Sequence, residues 1–309
     1  MVYVALAANL AISVVKFTAG ALTSSSAMTS EGVHSLVDSI NELLLLYGIR
    51  RAGKPPDLSH PFGYGRELYF WSFIVALLVL ALGAGVSLYE GVAHLRNPEP
   101  MRNPIINYAV IAASFAFEGA SWFISLRAFG KAKGDLGYFA AFRVSKDPTT
   151  FTVLLEDSAA VIGLLIAAAG IAAAQLLNMP AFDGIASLGI GLVLVASSML
   201  LARETKGLLI GESAHPHVRD SIVSIAAADP DLRIANGVLT VQMGPNQVVA
   251  ALSAEFHDAL NTTQIEQCVN RLEAAIKQAH PEVTALFVKP QTAEGWRRRI
   301  ASLGAREPP

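Results

Sequence analysis

Residues 31–47 read Glu31-Gly-Val-His34-Ser-Leu-Val-Asp38-Ser-Ile-Asn41-Glu-Leu-Leu-Leu-Leu-Tyr47, a polar stripe within an otherwise apolar segment. The four polar residues Glu31, His34, Asp38 and Asn41 recur at helical spacing, so an α-helix would carry them on one face. The leucine run that follows is typical of lipid-embedded helices, and ionisable groups at that depth usually face a bundle interior or an aqueous cavity. An imidazole and a carboxylate four residues apart also form a compact metal-ligand pair. The stretch therefore predicts a metal site inside a membrane protein.

The composition of the whole chain favours the same class. Its 309 residues are 53% hydrophobic and only 16% charged, and the mean hydropathy is +0.45, whereas soluble domains are about a quarter charged. The formal net charge of −2 argues against a nucleic-acid binder, which would carry a basic face. The single cysteine, Cys268, excludes an intrachain disulfide and a CxxC cluster.

Six apolar stretches are long enough to cross a bilayer, which takes about 20 residues. Breaks rich in proline and glycine separate them, and Asp147-Pro148 opens the fifth with a capping residue and a proline at the first helical position. The first stretch lacks a charged n-region and a cleavage motif, so we expect a retained helix. The predicted spans are Val2–Leu22, Ala27–Tyr47, Leu68–His94, Ile105–Phe129, Thr150–Leu176 and Gly184–Leu201.

Basic residues in the connections predict the topology. They concentrate in the second and fourth connections and after the sixth span, whereas the first and fifth connections carry no lysine or arginine. Under the positive-inside rule this alternation places both termini in the cytoplasm. We expect a multi-pass protein of a bacterial inner (plasma) membrane, with the lipid bilayer as its surroundings.

From about Gly211 the sequence becomes soluble in character. A helix over His217–Ala228, a hairpin and a strand at Thr284–Val288 flank an amphipathic helix, whose start is predicted from a capping box at Thr263 to Glu266. The αββαβ order predicts a small cytoplasmic α+β domain, ferredoxin-like in the manner of metallochaperones. The predicted organisation is a six-helix transmembrane domain (residues 1–210), this small cytoplasmic domain (residues 211–295) and a tail (residues 296–309).

Five residues are candidate metal ligands. Two adjacent carboxylates in an apolar helix, Glu156 and Asp157, are hard to explain by packing and add to His34 and Asp38. Glu156 lies about 100° around the helix from Asp157, so it could instead neutralise a basic residue or carry protons. Packing remains the alternative for each pair. The candidate ligands are His34, Asp38, Asp157, Glu156 and Glu31.

Other polar residues receive simpler interpretations. Lys16 is expected to snorkel towards the outer interface, and Glu42 is expected to line an approach to the site or to pair with a basic loop residue. In the second connection, Asp57 and His60 have metal-ligand spacing, but two ligands do not complete a site, and a clamp onto the next helix is an equal alternative.

Several motifs together resemble the cation diffusion facilitators, a family that exports divalent metals. Ser25–Asp38 is similar to the family's second-helix motif, and His60-Pro-Phe-Gly-Tyr-Gly-Arg-Glu67 resembles the start of its third helix. Asp157 with Gly163 resembles the fifth-helix motif, and Phe182-Asp-Gly-Ile-Ala-Ser187 the start of the sixth. The sequences Asp147-Pro-Thr-Thr150 and Leu155-Glu-Asp157 look most like those of the branch that contains zinc transporter nine.

The resemblance implies a metal site with His34, Asp38 and Asp157 as ligands. Zinc-selective members have a second histidine where this chain has Val153, so Glu156, Glu31 or a water is left as the fourth ligand. The C-terminal sequence also lacks the ligands with which some relatives bind zinc at a dimer interface.

The sequence therefore predicts a homodimeric antiporter that exports a divalent cation in exchange for protons. Metal and proton compete for the same lone pairs, which couples their movement. Zn²⁺ suits a mixed nitrogen and oxygen site, and Mn²⁺, Fe²⁺ or Co²⁺ are the alternatives. No cofactor and no enzymatic activity are expected. The rivals are a non-transporting protein of the same fold, a membrane enzyme using His34 and Asp38 as an acid/base pair, and a transcriptional co-regulator.

Overall fold

The computed structural model describes residues 2–134 and 136–304. The chain divides into two compact units. The first, called the helical unit, comprises Met1–Arg51 and Glu67–Lys206, and the second, called the mixed unit, comprises Ala52–Arg66 and Gly207–Pro309.

Helices form all the regular structure described in the helical unit. Each of the six predicted spans corresponds to a helix or, for the third, to helices in continuous succession. A short helix, α6, lies between the fourth and fifth of them and was not predicted. The elements are α1 (Val2–Thr23), α2 (Ser26–Ala52), α3 (Arg66–Leu78), a π-helix (Val79–Ala84), α4 (Gly85–Arg96), α5 (Pro104–Ala132), α6 (Tyr138–Val144), α7 (Pro148–Leu176) and α8 (Ala181–Ile210).

Four helical segments in the described residues are long and apolar enough to cross a membrane: Arg66–Arg96, Pro104–Lys131, Pro148–Leu176 and Ala181–Ile210. Among the residues whose side chains are described, α1 contributes a shorter apolar helix, Asn9–Thr23. We attribute the low hydropathy of α2 to the polar stripe itself, because Glu31, His34, Asp38, Asn41 and Glu42 all belong to that helix. The polar residues that predict a site thus also weaken the membrane signal of their own helix.

The start of α7 confirms its predicted cap. Asp147 precedes the helix in an extended conformation, and its carboxylate accepts a hydrogen bond from the Thr149 backbone N–H at 3.0 Å. Pro148 occupies the first turn, where the missing N–H costs nothing. The cap fixes where α7 begins and therefore the turn on which Glu156 and Asp157 lie.

The mixed unit contains a three-stranded sheet in the order β1-β2-β3. β1 pairs with β2 in antiparallel fashion, and β2 pairs with β3 in parallel. Its apolar core includes Ile222, Leu252, Leu272 and Ile276. The elements are α9 (Pro216–Ala227), β1 (Leu232–Gly244), β2 (Gln247–Phe256), α10 (Thr262–Ala279), β3 (Val283–Pro290) and α11 (Ala293–Ser302).

Two details of the mixed unit differ from the sequence prediction. The predicted capping box at Thr263 and Glu266 is wrong, because α10 is capped two residues earlier by Asn261, whose side chain accepts from the Gln264 backbone while the Gln264 side chain bonds back. An asparagine can cap as well as a threonine, which made two registers possible. The helix α11 was not predicted, although Thr292 caps its first turn by accepting from Gly295.

Packing and backbone conformation within the mixed unit explain two glycines of the second connection, Gly63 and Gly65. Gly63 has a φ of +82°, a conformation that L side chains rarely adopt. A Cβ on Gly65 would lie 3.0 Å from the Gly244 Cα and would overlap Gln247. Phe62 meets Phe287 edge-to-face, with ring centroids 6.2 Å apart. This motif therefore packs tightly against the turn between β1 and β2 and against β3.

Candidate functional site

A polar cavity of about 100 Å³ lies inside the helical unit. Side chains from α1, α2, α5 and α7 line it, and three of the five predicted ligands, Asp38, Glu156 and Asp157, are among them. Glu156 and Asp157 therefore reach the same cavity despite their angular separation on the helix. The remaining lining residues are Asn9, Ile12, Ser35, Glu42, Leu45, Phe117, Glu118, Ser121, Val153 and Ala160.

His34 and Asp38 form the predicted pair on successive turns of α2. The His34 Nδ1 lies 3.4 Å from the Asp38 Oδ1, and the imidazole is almost entirely buried. Among the described residues, both ring nitrogens and the Asp38 Oδ1 have no hydrogen-bond partner. Buried polar atoms nearly always have a hydrogen-bond partner. Three such atoms without one at the same place are therefore candidates to bind a cation or to carry a proton.

Asp157 is held by two serines of α5. Ser125 Oγ donates to its Oδ2 at 2.7 Å, and Ser121 Oγ donates to the same oxygen at 3.2 Å. Each serine lies one turn from the other on the α5 face that meets α7. Ser121 Oγ also lies 3.4 Å from the Asp157 Oδ1. Hydrogen bonds of this kind fix the orientation of a carboxylate that binds a cation.

Glu156 is held by the polar stripe of α2. The Asn41 side chain donates from Nδ2 to the Glu156 Oε1 at 2.7 Å. The Asn9 amide of α1 likewise lies 3.4 Å from the Glu42 Oε2 of α2. Both asparagines thus form interhelical hydrogen bonds.

Glu31 is engaged elsewhere, with Lys16. The Lys16 side chain is 0% exposed, and its Nζ lies 3.0 Å from the Glu31 Oε2 and 2.6 Å from the Glu118 Oε1. The expectation that Lys16 snorkels towards an interface is wrong. The two carboxylates offset the cost of taking the ammonium out of water, which is why Lys16 can lie inside the bundle.

The predicted ligands are neighbours without forming a closed coordination shell. In the described part of the chain, one group of three or more His, Cys, Asp or Glu residues has all its ligand atoms within 4.8 Å of one another, and it consists of Asp229, Asp231 and Cys268 in the mixed unit. Arg271 occupies that group, with its Nη2 3.1 Å from the Asp229 Oδ1 and 2.5 Å from the Asp231 Oδ2. Burial and the Asp229 charge raise the pKa of the Cys268 thiol to about 12, which disfavours the thiolate that a metal requires.

The Asp57 and His60 pair belongs to a capped turn of the mixed unit. One Asp57 oxygen accepts from the backbone N–H groups of Ser59 and His60, at 2.8 and 2.7 Å, and the other accepts from the Tyr64 hydroxyl at 2.6 Å. The Tyr64 bond, followed by these backbone bonds, holds the pKa of Asp57 below its usual range. These contacts favour the structural alternative for the loop.

The roles of two kinds of site residue were not predicted from the sequence. Ser121 and Ser125 are ordinary small residues of α5, and only the approach of α7 gives them a role. The environment of Lys16 could have been predicted. Lys16 lies well inside one apolar stretch, and Glu118 lies in the middle of another. Two opposite charges at membrane depth are expected to pair with each other.

The comparisons with known proteins agree with this architecture. Residues 2–210 match the family described as "Cation efflux transmembrane domain". The chain therefore belongs to the cation diffusion facilitator family, and the resemblance seen in the sequence motifs is confirmed.

Among its relatives are the proteins named "Proton-coupled zinc antiporter SLC30A9, mitochondrial". The Xenopus laevis protein is 34% identical over 78% of this chain and 44% of its own length, and the human protein is 34% identical over 78% and 43%. The chain thus spans somewhat less than half of these relatives. The cation-efflux pump FieF of Cronobacter sakazakii is 25% identical over 87% of this chain and 84% of its own. The manganese efflux protein MneS of Bacillus subtilis is 26% identical over 90% of each.

Proposed function

We propose that this protein exports a divalent metal cation, with zinc as the preferred cargo, in exchange for protons. The observation that carries the proposal is the cavity of the helical unit, where Asp38, Glu156 and Asp157 meet beside the unpaired imidazole of His34. Three carboxylates and an imidazole in a bundle of apolar helices are costly unless they serve an ion. Such a donor set is typical of a divalent-cation site.

The cargo binds to His34, Asp38 and Asp157, with Glu156 or Glu31 as the further candidates. The imidazole favours Zn²⁺, because this borderline-soft ion gains from nitrogen ligands. The alternative cargo is Mn²⁺, Fe²⁺ or Co²⁺, supported by the oxygen-rich remainder of the set and by the manganese efflux named for the Bacillus relative. The proton-coupled zinc exchange named for the vertebrate relatives supports zinc.

Protons are the ions transported in the opposite direction, because they bind to the same atoms as the cargo. A metal binds the neutral imidazole and the ionised carboxylate, so its arrival releases protons and its departure allows them to return. A site that takes up protons when the metal leaves carries less negative charge than an empty one, which lowers the cost of keeping it in a low-dielectric bundle.

The membrane arrangement is part of the proposal. α1 and α2 join the four apolar segments as spans, which gives six, with both termini in the cytoplasm, as the distribution of basic residues indicates. The mixed unit is then a cytoplasmic domain of ferredoxin-like type, through which two copies form a homodimer. The protein needs no cofactor, acts on no nucleic acid and is not an enzyme.

A bacterial plasma membrane is the proposed location. Its support is the similarity to two bacterial efflux proteins, FieF of Cronobacter sakazakii and MneS of Bacillus subtilis. The rival function is a non-transporting protein of this fold, and its support is Val153, which lines the cavity at the place of a ligand.

The test is metal flux in sealed liposomes that contain the purified protein. An acidic pH on the side to which the cargo moves should accelerate Zn²⁺ movement. Zn²⁺ influx should carry protons out of the liposome, and a pH dye trapped inside should report the rise in internal pH. The Asp157→Asn variant, reconstituted at equal density, is the matched control and should be inactive. Flux that follows the membrane potential and ignores the pH gradient would indicate a uniporter, and no flux in the native protein would favour the non-transporting rival.

A further inference from the structure

Lys16 is a fully buried cation at the junction of three helices. Its ammonium bonds to the Glu31 Oε2 at 3.0 Å and the Ser35 Oγ at 2.8 Å on α2, and to the Glu118 Oε1 at 2.6 Å on α5. An ammonium has three N–H donors, and this one has three acceptors. The cost of burying it is offset only while these partners remain in place.

The network contains two acids for one base, and each acid has a free end. Among the described residues, the Glu31 Oε1 and the Glu118 Oε2 are buried without a hydrogen-bond partner. The helix α7 makes room for the first of them with Gly163, because a Cβ at that position would overlap the Glu31 Oε1. Glu31 is therefore placed between Lys16, which bonds to its Oε2, and the Gly163 backbone of α7, which lies beside its Oε1.

The network also forms part of the wall of the cargo cavity. Ser35 and Glu118, two of the three Lys16 partners, line the same cavity as Asp38 and Asp157. Without the ammonium, the Glu118 carboxylate would add its oxygens to those of Asp38, Glu156 and Asp157. A site richer in oxygen and negative charge favours harder ions with higher coordination numbers, such as Mn²⁺, over Zn²⁺.

We propose that Lys16 is a specificity-determining residue, a tethered cation that engages Glu31 and Glu118 and keeps their oxygens from the cargo. The proposal rests on the transport function proposed above. Glu42 is engaged as well, by the Asn9 amide at 3.4 Å. The cargo is then left with Asp38, Glu156, Asp157 and the neighbouring His34, a set that suits a small ion of low coordination number. Glu31, a candidate for the fourth ligand, serves Lys16 instead.

The experiment measures how strongly Mn²⁺ competes with Zn²⁺ uptake in liposomes. Three proteins are compared: the native chain, Lys16→Met, and the triple variant Lys16→Met/Glu31→Gln/Glu118→Gln, which keeps the shape of the network without its charges. Lys16→Met should make Mn²⁺ about tenfold more effective as a competitor, since it exposes additional carboxylate oxygens. The triple variant should return to the native ratio. Lys131→Met, at the exposed end of α5, is the control for loss of a lysine and should match the native protein.

Each result decides the matter. Native selectivity in an active Lys16→Met protein would overturn the proposal, and so would an equal change in the triple variant, because lost packing would then be the cause. Should Lys16→Met fail to elute as a folded protein in gel filtration, the triple variant tests the proposal alone: a native ratio supports it and an altered ratio overturns it. The absence of Zn²⁺ flux in the native protein would instead overturn the transport function itself.

Discussion

Asn41 on α2 donates a hydrogen bond to Glu156 on α7, with 2.7 Å between the Asn41 Nδ2 and the Glu156 Oε1. This bond joins the helix that carries His34 and Asp38 to the helix that carries Asp157. A carboxylate that accepts from a fixed amide is held in one orientation. The position of Glu156 in the cavity wall therefore depends on α2, so the two halves of the candidate site are mechanically connected.

Replacing Asn41 with Leu should weaken cargo binding more than turnover. The substitution leaves the Glu156 Oε1 without its donor, and a lost buried hydrogen bond to a charged group costs about 1.5–3 kcal/mol. We expect the apparent KM for Zn²⁺ in liposomes to rise about tenfold or more, with a smaller change in the maximal rate. Asn107→Leu is the control, since this buried asparagine of α5 also bonds between segments, to the Thr23 hydroxyl and the Met101 sulfur, but lies outside the cavity lining. Equal effects of the two variants would show that the Asn41 effect is one of packing.

The serines behind Asp157 should matter almost as much as a ligand. The double variant Ser121→Ala/Ser125→Ala removes both donors to its Oδ2, and loss of such supporting groups typically lowers metal affinity 10–100-fold. We expect the Zn²⁺ affinity, measured by isothermal titration on detergent-purified protein, to fall within that range. Ser114→Ala, a buried serine of the same helix outside the cavity, should leave the affinity unchanged. An unaltered affinity in the double variant would exclude Asp157 as an oriented ligand.

The sequence predicted most of this fold, for physical reasons. Long apolar helices can be predicted from composition, and the cap at Asp147 determines where a helix begins through local hydrogen bonds alone. The sequence failed where an outcome depends on which helices meet. Lys16 has two possible environments, and only the approach of Glu31 and Glu118 selects the buried one. The roles of Ser121 and Ser125 have the same origin, because nothing local distinguishes a serine that packs from one that supports a carboxylate.

A methyl group at Gly163 should destabilise the helical unit. Its Cβ would overlap the Glu31 Oε1, so Gly163→Ala must displace either Glu31 or α7, and forcing an extra methyl into a packed interior costs about 1–3 kcal/mol. We expect a lower midpoint in a thermal-unfolding assay in detergent and a reduced Zn²⁺ flux. Gly119→Ala is a fair comparison, because a Cβ there meets nothing within 4 Å and alanine is the better helix former. Its midpoint should stay the same or rise, and an undiminished midpoint in Gly163→Ala would contradict the tight Glu31 contact.

Acid should loosen the mixed unit through Asp229. Burial alone would raise the pKa of this carboxyl, but hydrogen bonds from Arg271 and from the Asp231 backbone hold it below its ordinary value. A lowered folded-state pKa means that the stabilisation is complete above the unfolded-state pKa of about 3.9 and is lost as the pH falls below it. Hydrogen exchange of α10 in the full chain should therefore speed up below about pH 4, after correction for the intrinsic rate. Arg271→Ala should remove much of this dependence, and Arg297→Ala, in the exposed part of α11, should not.

Val153 is the residue through which selectivity can be tested most directly. It lies one turn before Asp157, and its side chain is 38% exposed and lines the cavity. Val153→His would add an imidazole on the face that carries Asp157, since residues four apart are neighbours on a helix. A second nitrogen donor favours Zn²⁺ over Mn²⁺, and a histidine that faces a polar cavity avoids the cost of contact with lipid.

We therefore expect Val153→His to bind Zn²⁺ more tightly and to lose Mn²⁺ transport, so that the native protein is the more permissive of the two. The measurement is uptake of each ion in liposomes, alone and in competition. Val153→Gln supplies the control, because it has a similar size and an oxygen donor and should not sharpen the preference for zinc. A native protein that already discriminates strongly against Mn²⁺, together with a histidine variant that shows no shift, would mean that this position does not set selectivity. Glu156 would then be the ligand to replace next, since it is the other α7 donor in the cavity.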